Sequence, residues 1–159
     1  MRGHDAVVIG VGSAHGDDAI GPLVVEALRR DAAAPALDQD RPRAFVTVAG
    51  GDPAALLEAW DGARLAVVVD AVRTGAPAGT VHRFGAREAT RARHVSWSSH
   101  GTGLAPAIEL GLSLGRMPGR LVVIGIEAAD GSPGMPVTHA VRAALPRALT
   151  AVHQELATG

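Results

Sequence analysis

Four runs of the chain, residues 6–10 (AVVIG), 44–48 (AFVTV), 65–69 (LAVVV) and 121–126 (LVVIGI), are built from aliphatic, mostly β-branched residues with almost no polar alternation. Such strands need cover on both sides, which is the situation of central strands in a parallel sheet with helices on either face. The stretches between them have helical spacing. In residues 18–30, Ile20, Leu23, Val24, Ala27 and Leu28 recur on one side, while Glu26, Arg29 and Arg30 can face water. Residues 53–60, 103–114 and 137–156 read as further helices, with Pro146 expected to kink or restart the last one. Residues 80–84 (TVHRF) alternate and follow the turn-like GAPAG at 75–79, as an edge strand would. Residues 31–43, interrupted by prolines and acids, are expected to form a variable loop. The expected fold is α/β: one three-layer α-β-α domain over residues 1–159, with about five strands, mostly parallel, and an edge strand.

Composition removes several kinds of chemistry. The chain has no cysteine, so disulfides, thiolate metal sites, iron-sulfur clusters and cysteine nucleophiles are excluded. It also lacks lysine: all 15 basic residues are arginine, which excludes Schiff-base and P-loop lysine chemistry. A net charge of -1 and only four aromatic residues (Phe45, Trp60, Phe84 and Trp97) argue against a nucleic-acid partner. The one local basic cluster is Arg83, Arg87, Arg91 and Arg93. No apolar run approaches the roughly 18 to 20 residues of a membrane span, and the first residues lead straight into a β-like run. No membrane partner and a cytoplasmic location are therefore expected.

What remains are carboxylates and histidines at the carboxyl ends of the strand candidates, where open α/β sheets gather their ligand sites. The first run ends in Gly10-Val11-Gly12-Ser13-Ala14-His15-Gly16-Asp17-Asp18 and enters a helix. A dinucleotide fingerprint would need glycine at position 15, occupied here by His15, so a nucleotide is not the expected ligand. Asp17 or Asp18 can cap the helix, which leaves the other for chemistry. Asp70 closes the run at 65–69, and His100 lies in Ser98-Ser99-His100 just before the helix at 103–114. Two acids and a histidine suit a borderline divalent metal. A Ser-His-Asp triad from Ser98 or Ser99, His100 and Asp70 is disfavoured. Adjacent residues of an extended loop point apart, and no G-x-S-x-G elbow is present. His15 is a candidate extra ligand or substrate contact, and Glu127, just past the last run, a candidate for shaping the pocket. His4, His82, His94, His139 and His153 have no distinguishing spacing and read as surface or hydrogen-bonded residues.

In their order, the pieces Val8-Ile9-Gly10-Val11-Gly12, Gly16-Asp17-Asp18-Ala19-Ile20-Gly21-Pro22, Gly50-Gly51, Val67-Val68-Val69-Asp70-Ala71, Pro77-Ala78-Gly79-Thr80, Ser99-His100-Gly101-Thr102-Gly103-Leu104 and Ile124-Gly125-Ile126-Glu127 resemble the hydrogenase maturation proteases. These endopeptidases process the large subunit of nickel-iron hydrogenases. The resemblance spans nearly the whole chain and implies a phosphorylase/hydrolase-like fold. It implies that a hydrogenase large-subunit precursor is the partner and that its C-terminal extension is removed after nickel insertion. It further implies that the nickel is supplied by the substrate and that other divalent metals can occupy the site in vitro. Carried over residue by residue, the catalytic and metal-ligating set is Asp18, Asp70 and His100. The substrate-binding positions are His15, Asp17, Gly50, Gly51, Asp52 and Glu127. Asp52 stands where the family usually has threonine after the glycine pair, and Ser13 where it usually has asparagine. A three-ligand set leaves room for a metal already held by another protein. The same ligands would serve a non-cleaving metal-centre chaperone for a metalloenzyme precursor, or a divergent metallo-hydrolase paralogue.

Overall fold

The computed structural model describes residues 5–33, 44–91, 96–97, 103–129 and 135–159. Its strands are β1 (Ala6–Val11), β2 (Phe45–Ala49), β3 (Leu65–Arg73), β4 (Val81–Gly85), the two-residue β5 (Ser96–Trp97) and β6 (Arg120–Glu127). Its helices are α1 (Ile20–Ala33), α2 (Pro53–Trp60), α3 (Ala86–Arg91), α4 (Leu104–Leu114) and α5 (His139–Thr158), with a 3-10 turn at Gly16–Ala19 leading into α1. Five strands lie in the order β2-β1-β3-β6-β4, and β5 pairs with the end of β3. The pairs β1–β2, β1–β3 and β3–β6 are parallel, while β4 runs antiparallel to β6.

The apolar runs have no polar face because successive side chains enter two different cores. Val8, Val67, Val69, Val122, Ile124 and Ile126 pack with Ile20, Val24 and Leu28 of α1 and Val141, Ala144, Ala148 and Val152 of α5. Their neighbours Val7, Ile9, Val11, Ala66, Val68 and Val123 pack with Leu56, Leu57 and Trp60 of α2 and Leu104, Ala107 and Ile108 of α4. Each fully buried Val or Ile side chain contributes about 1.5–3 kcal/mol relative to exposure, so both layers are strongly held to the sheet. At the amino end of β6, the buried Glu155 of α5 accepts from Arg83 and, at 3.0 Å, from Arg120. The hydrogen bond from Arg83 holds the Glu155 carboxyl below its ordinary range, against the opposing effect of burial.

Several expectations from sequence need correction. The run at 44–48 is not central: β2 starts at Phe45 and forms one edge of the described sheet, with Phe45 and Val48 46% and 43% exposed. Its apolar outer surface made the run look covered. Arg29 of α1 donates to the Val46 carbonyl (3.1 Å), satisfying an acceptor on this strand. The first helix does not start at Asp18, because the 3-10 turn occupies residues 16–19 and α1 extends to Ala33. Strand β3 extends beyond the run at 65–69 to Arg73, through pairing with β6 and β5. Helix α3 and strand β5 were not anticipated: six and two residues are too short to carry a period. The last helix runs unbroken through Pro146. Its buried residues on either side of the proline, Val141, Ala144, Ala148 and Val152, are held by the same core.

Candidate functional site

The connections of β1 define where a ligand can enter. The crossover from β1 to β2 uses α1 on one face of the sheet, and the crossover from β2 to β3 uses α2 on the other. The chain thus leaves β1 toward one side and returns on its opposite side, which opens a crevice at the carboxyl ends of β1 and β3. Open α/β sheets bind ligands at such a switch point. Asp18 follows β1 and Asp70 lies in β3, so both candidate acids belong to this crevice.

Glycines bring the first acid into place. A Cβ on Gly21 would stand 2.3 Å from the Val11 carbonyl oxygen and 2.7 Å from that of Val69, and one on Gly10 would stand 2.4 Å from the Gly21 oxygen. The start of α1 therefore rests directly on the backbones of β1 and β3. Gly12, with φ +146°, similarly makes room for the Asp18 carbonyl, which lies 1.9 Å from where a Cβ would be. Asp18 is half-buried, and its Oδ1 is shielded from solvent with no hydrogen-bond partner among the described residues. Asp70 is fully buried. It continues the alternation of Ala66 and Val68, which places it on the α2 and α4 side of the sheet, and it sits opposite Gly125 of β6.

The remaining acids are engaged with the protein itself. Neither Asp17 nor Asp18 caps the 3-10 turn, whose N-cap residue is His15. Asp17 reaches across the fold: its Oδ2 accepts from the Ala129 N–H at 2.9 Å and its Oδ1 from the Thr138 N–H at 2.7 Å. The Thr138 hydroxyl donates to the same carboxylate at 2.9 and 3.0 Å. Glu127 accepts from the N–H and hydroxyl of Thr74 (both 2.8 Å) and from the Gly75 N–H (3.0 Å), and pairs with His82 Nε2 at 3.0 Å. This ties the β3–β4 connection to the end of β6. Burial alone would raise the Glu127 carboxyl, but the hydrogen bonds from Thr74, His82 and Gly75 outweigh it and its pKa is lowered. His82 is thus a hydrogen-bonded histidine, as its lack of distinctive spacing implied. Thr74 escaped notice because a lone threonine in a loop has no periodic or motif signal.

His15 is exposed, with its N–H donating to Ser13 Oγ at 3.3 Å. Asp52 caps α2 by accepting from the Ala54 N–H at 3.2 Å. Beside it, Gly51 is buried at φ +88°, and Gly50 is exposed with no atom within 4 Å of a would-be Cβ. His100, Ser98 and Ser99 lie outside the described residues. Among the described residues no three His, Asp or Glu side chains converge as a metal site. Asp18 and Asp70 are the two described members of the expected set. The shielded Asp18 oxygen, which has no donor among the described residues, and the buried Asp70, both at the carboxyl ends of β1 and β3, have the donor chemistry that suits a cation.

Glu127→Gln should destabilise the protein by about 1–3 kcal/mol at neutral pH, because the neutral amide cannot satisfy all the donors that converge there. The lowered pKa means that the stabilisation is full above about 4.5, the carboxyl's ordinary value, and is lost as pH falls through the folded-state value. Denaturant unfolding of the two proteins should therefore differ most near neutrality and converge in acid. A constant difference down to strongly acidic pH would contradict this account.

A family model described as HycI, hydrogenase maturation protease, matches residues 22–155. The chain belongs to the hydrogenase maturation protease family. This makes it a protease. Its fold is also that of solved family members. The [NiFe] hydrogenase maturation protease HybD from Thermococcus kodakarensis superposes with a TM-score of 0.71 at 19% identity, over 94% of this chain and 97% of that one. The hydrogenase maturating endopeptidase HybD from E. coli gives 0.69 at 24% identity, over 92% and 88%. The protease HycI from Thermococcus kodakarensis KOD1 gives 0.69 at 22% identity, over 98% and 94%. No curated protein sequence matches significantly. In the described residues of this protease, no helix is long and apolar enough to cross a membrane.

Proposed function

We propose that this protease removes the C-terminal extension of a nickel-iron hydrogenase large-subunit precursor and that it recognises the nickel the precursor already carries. The observation that carries this reading is the pair of acids at the switch point: Asp18, with a shielded oxygen that accepts no hydrogen bond among the described residues, and the buried Asp70. His100, four residues before the start of α4, is the third ligand in this reading. Carboxylate and imidazole donors suit nickel without thiolate help, and three protein ligands leave coordination positions for groups of the precursor.

In this scheme Asp18, Asp70 and His100 dock on the metal of the precursor and fix the distance between it and the scissile peptide. Water adds across that peptide bond, leaving a new carboxylate on the large subunit and a free amine on the released fragment. The metal supplies charge stabilisation, acting on the scissile carbonyl or on the attacking water. In this reading His15, in the exposed connection after β1, and the Gly50-Gly51-Asp52 corner, just after β2, face the precursor. The exposed Gly50 leaves space there for an incoming chain.

Two observations test the reading together. The protein purified from a nickel-free culture should contain substoichiometric metal and still process a nickel-loaded precursor. A stoichiometric, tightly held metal would favour the metallo-hydrolase paralogue, and a stable complex with an uncut precursor would favour the chaperone.

A further inference from the structure

The two neighbouring acids of the 3-10 turn have opposite fates. Asp17 is 9% exposed and both of its oxygens are occupied by Ala129 and Thr138, whereas Asp18 keeps a shielded oxygen that accepts no hydrogen bond among the described residues. A 3-10 turn has three residues per turn, so consecutive side chains diverge by about 120° around its axis. Fixing the direction of one therefore fixes the direction of the next.

We propose that Asp17 is a positioning residue for the reaction: it sets the rotation of the Gly16–Ala19 turn, and with it the direction in which Asp18 presents its carboxylate. The inference rests on the proposed role of Asp18 toward the precursor's metal. The turn is gripped at two points. On one side the Asp18 carbonyl is seated against Gly12, at a spot where any side chain would collide. On the other, the Asp17 carboxylate is fastened to Ala129, just beyond β6, and to Thr138, at the entry to α5. The segment leading to Thr138 also lies over the turn, with the Met135 carbonyl oxygen 3.4 Å from a would-be Cβ on Gly16. Both oxygens of the Asp17 carboxylate, 9% exposed, are turned inward to backbone and hydroxyl donors of this chain. In this proposal Asp17 therefore acts through Asp18.

The test uses Asp17→Asn, Thr138→Val and Thr138→Ser in the full chain, with wild type and Asp18→Ala as references. Asparagine keeps the shape of Asp17 but turns an N–H₂ toward the Ala129 N–H or toward Thr138, leaving one donor unmatched. Valine at 138 removes only the hydroxyl, and serine restores it. Asp17→Asn should lower kcat for the nickel-loaded precursor by about tenfold to a hundredfold, the usual effect of losing a residue that orients a ligand, with KM nearly unchanged. Thr138→Val should lower kcat by a smaller factor, and Thr138→Ser should recover wild-type kcat. A raised KM with unchanged kcat in Asp17→Asn, or a silent Thr138→Val beside a crippled Asp17→Asn, would overturn the proposal by making Asp17 a substrate contact.

A second readout does not depend on the precursor. The backbone amide chemical shifts of Asp18 and Ala19 should move in Asp17→Asn and Thr138→Val and return in Thr138→Ser. Unchanged shifts would overturn the positioning role even if the protease is active. If wild type cuts no precursor while the shifts follow the expected pattern, the proposed function fails and the coupling of Asp17 to Asp18 stands.

Discussion

Asp70→Asn should give a folded protein that processes its precursor at least about a thousandfold more slowly than wild type, the loss expected when several kcal/mol of metal-assisted stabilisation are removed. Asparagine is nearly isosteric with aspartate, so the packing around this fully buried position changes little. What disappears is the anionic oxygen donor, which a neutral amide does not replace in a set chosen for a divalent cation. Asp18→Ala should lose activity comparably, because in the proposed scheme each ligand of the three-residue set is needed to hold the metal and the scissile bond in register. Single-turnover processing with equal amounts of variant and wild type measures the loss, and thermal unfolding checks the fold. A variant that retains more than a tenth of wild-type rate would remove Asp70 from the reacting centre.

The second large effect concerns a residue with no functional group. Gly21→Ala should destabilise the protein by about 3 kcal/mol, the upper part of the usual overpacking range, and abolish processing as well. The added methyl would stand 2.3 Å from the Val11 carbonyl oxygen and 2.7 Å from both the Val11 nitrogen and the Val69 oxygen. All three are backbone atoms of central strands and cannot swing aside as a side-chain tip can. Helix α1 must lift instead, and Asp18 lies only three residues before Gly21. Gly50→Ala is the contrast, since nothing lies within 4 Å of its Cβ position, and its stability should stay within about 0.5 kcal/mol of wild type. Denaturant unfolding of both variants measures the difference, and equal stabilities would contradict the close crossing of α1 over β1 and β3.

The legible parts of the fold were those with a long physical period. The buried runs at 65–69 and 121–126 extend on both sides of a sheet, so their composition reports two covered faces at once. The run at 44–48 misled for the same reason: Phe45 and Val48 are apolar but point to solvent on an edge strand, and composition does not report who the neighbour is. In the site, Asp18 and Asp70 could be placed at one sheet edge because each follows a recognisable run. Asp17 and Glu127 were expected as substrate-binding positions, and their partners within the chain could not be read from the sequence. Their partners are 112 and 121 residues away for Asp17, and 45 to 53 residues away for Glu127, and those contacts exist only once the sheet is assembled. The sequence could therefore not show that Asp17 and Glu127 are hydrogen-bonded to distant parts of their own chain.

The most direct test is the intact mass of a hydrogenase large-subunit precursor from the same organism, before and after incubation with this protein, in nickel-loaded and nickel-free forms. The account predicts that the loaded precursor becomes lighter by the mass of the released C-terminal peptide less one water, while the nickel-free precursor keeps its full mass. An unchanged mass in both samples, or equal shortening of both, would contradict it.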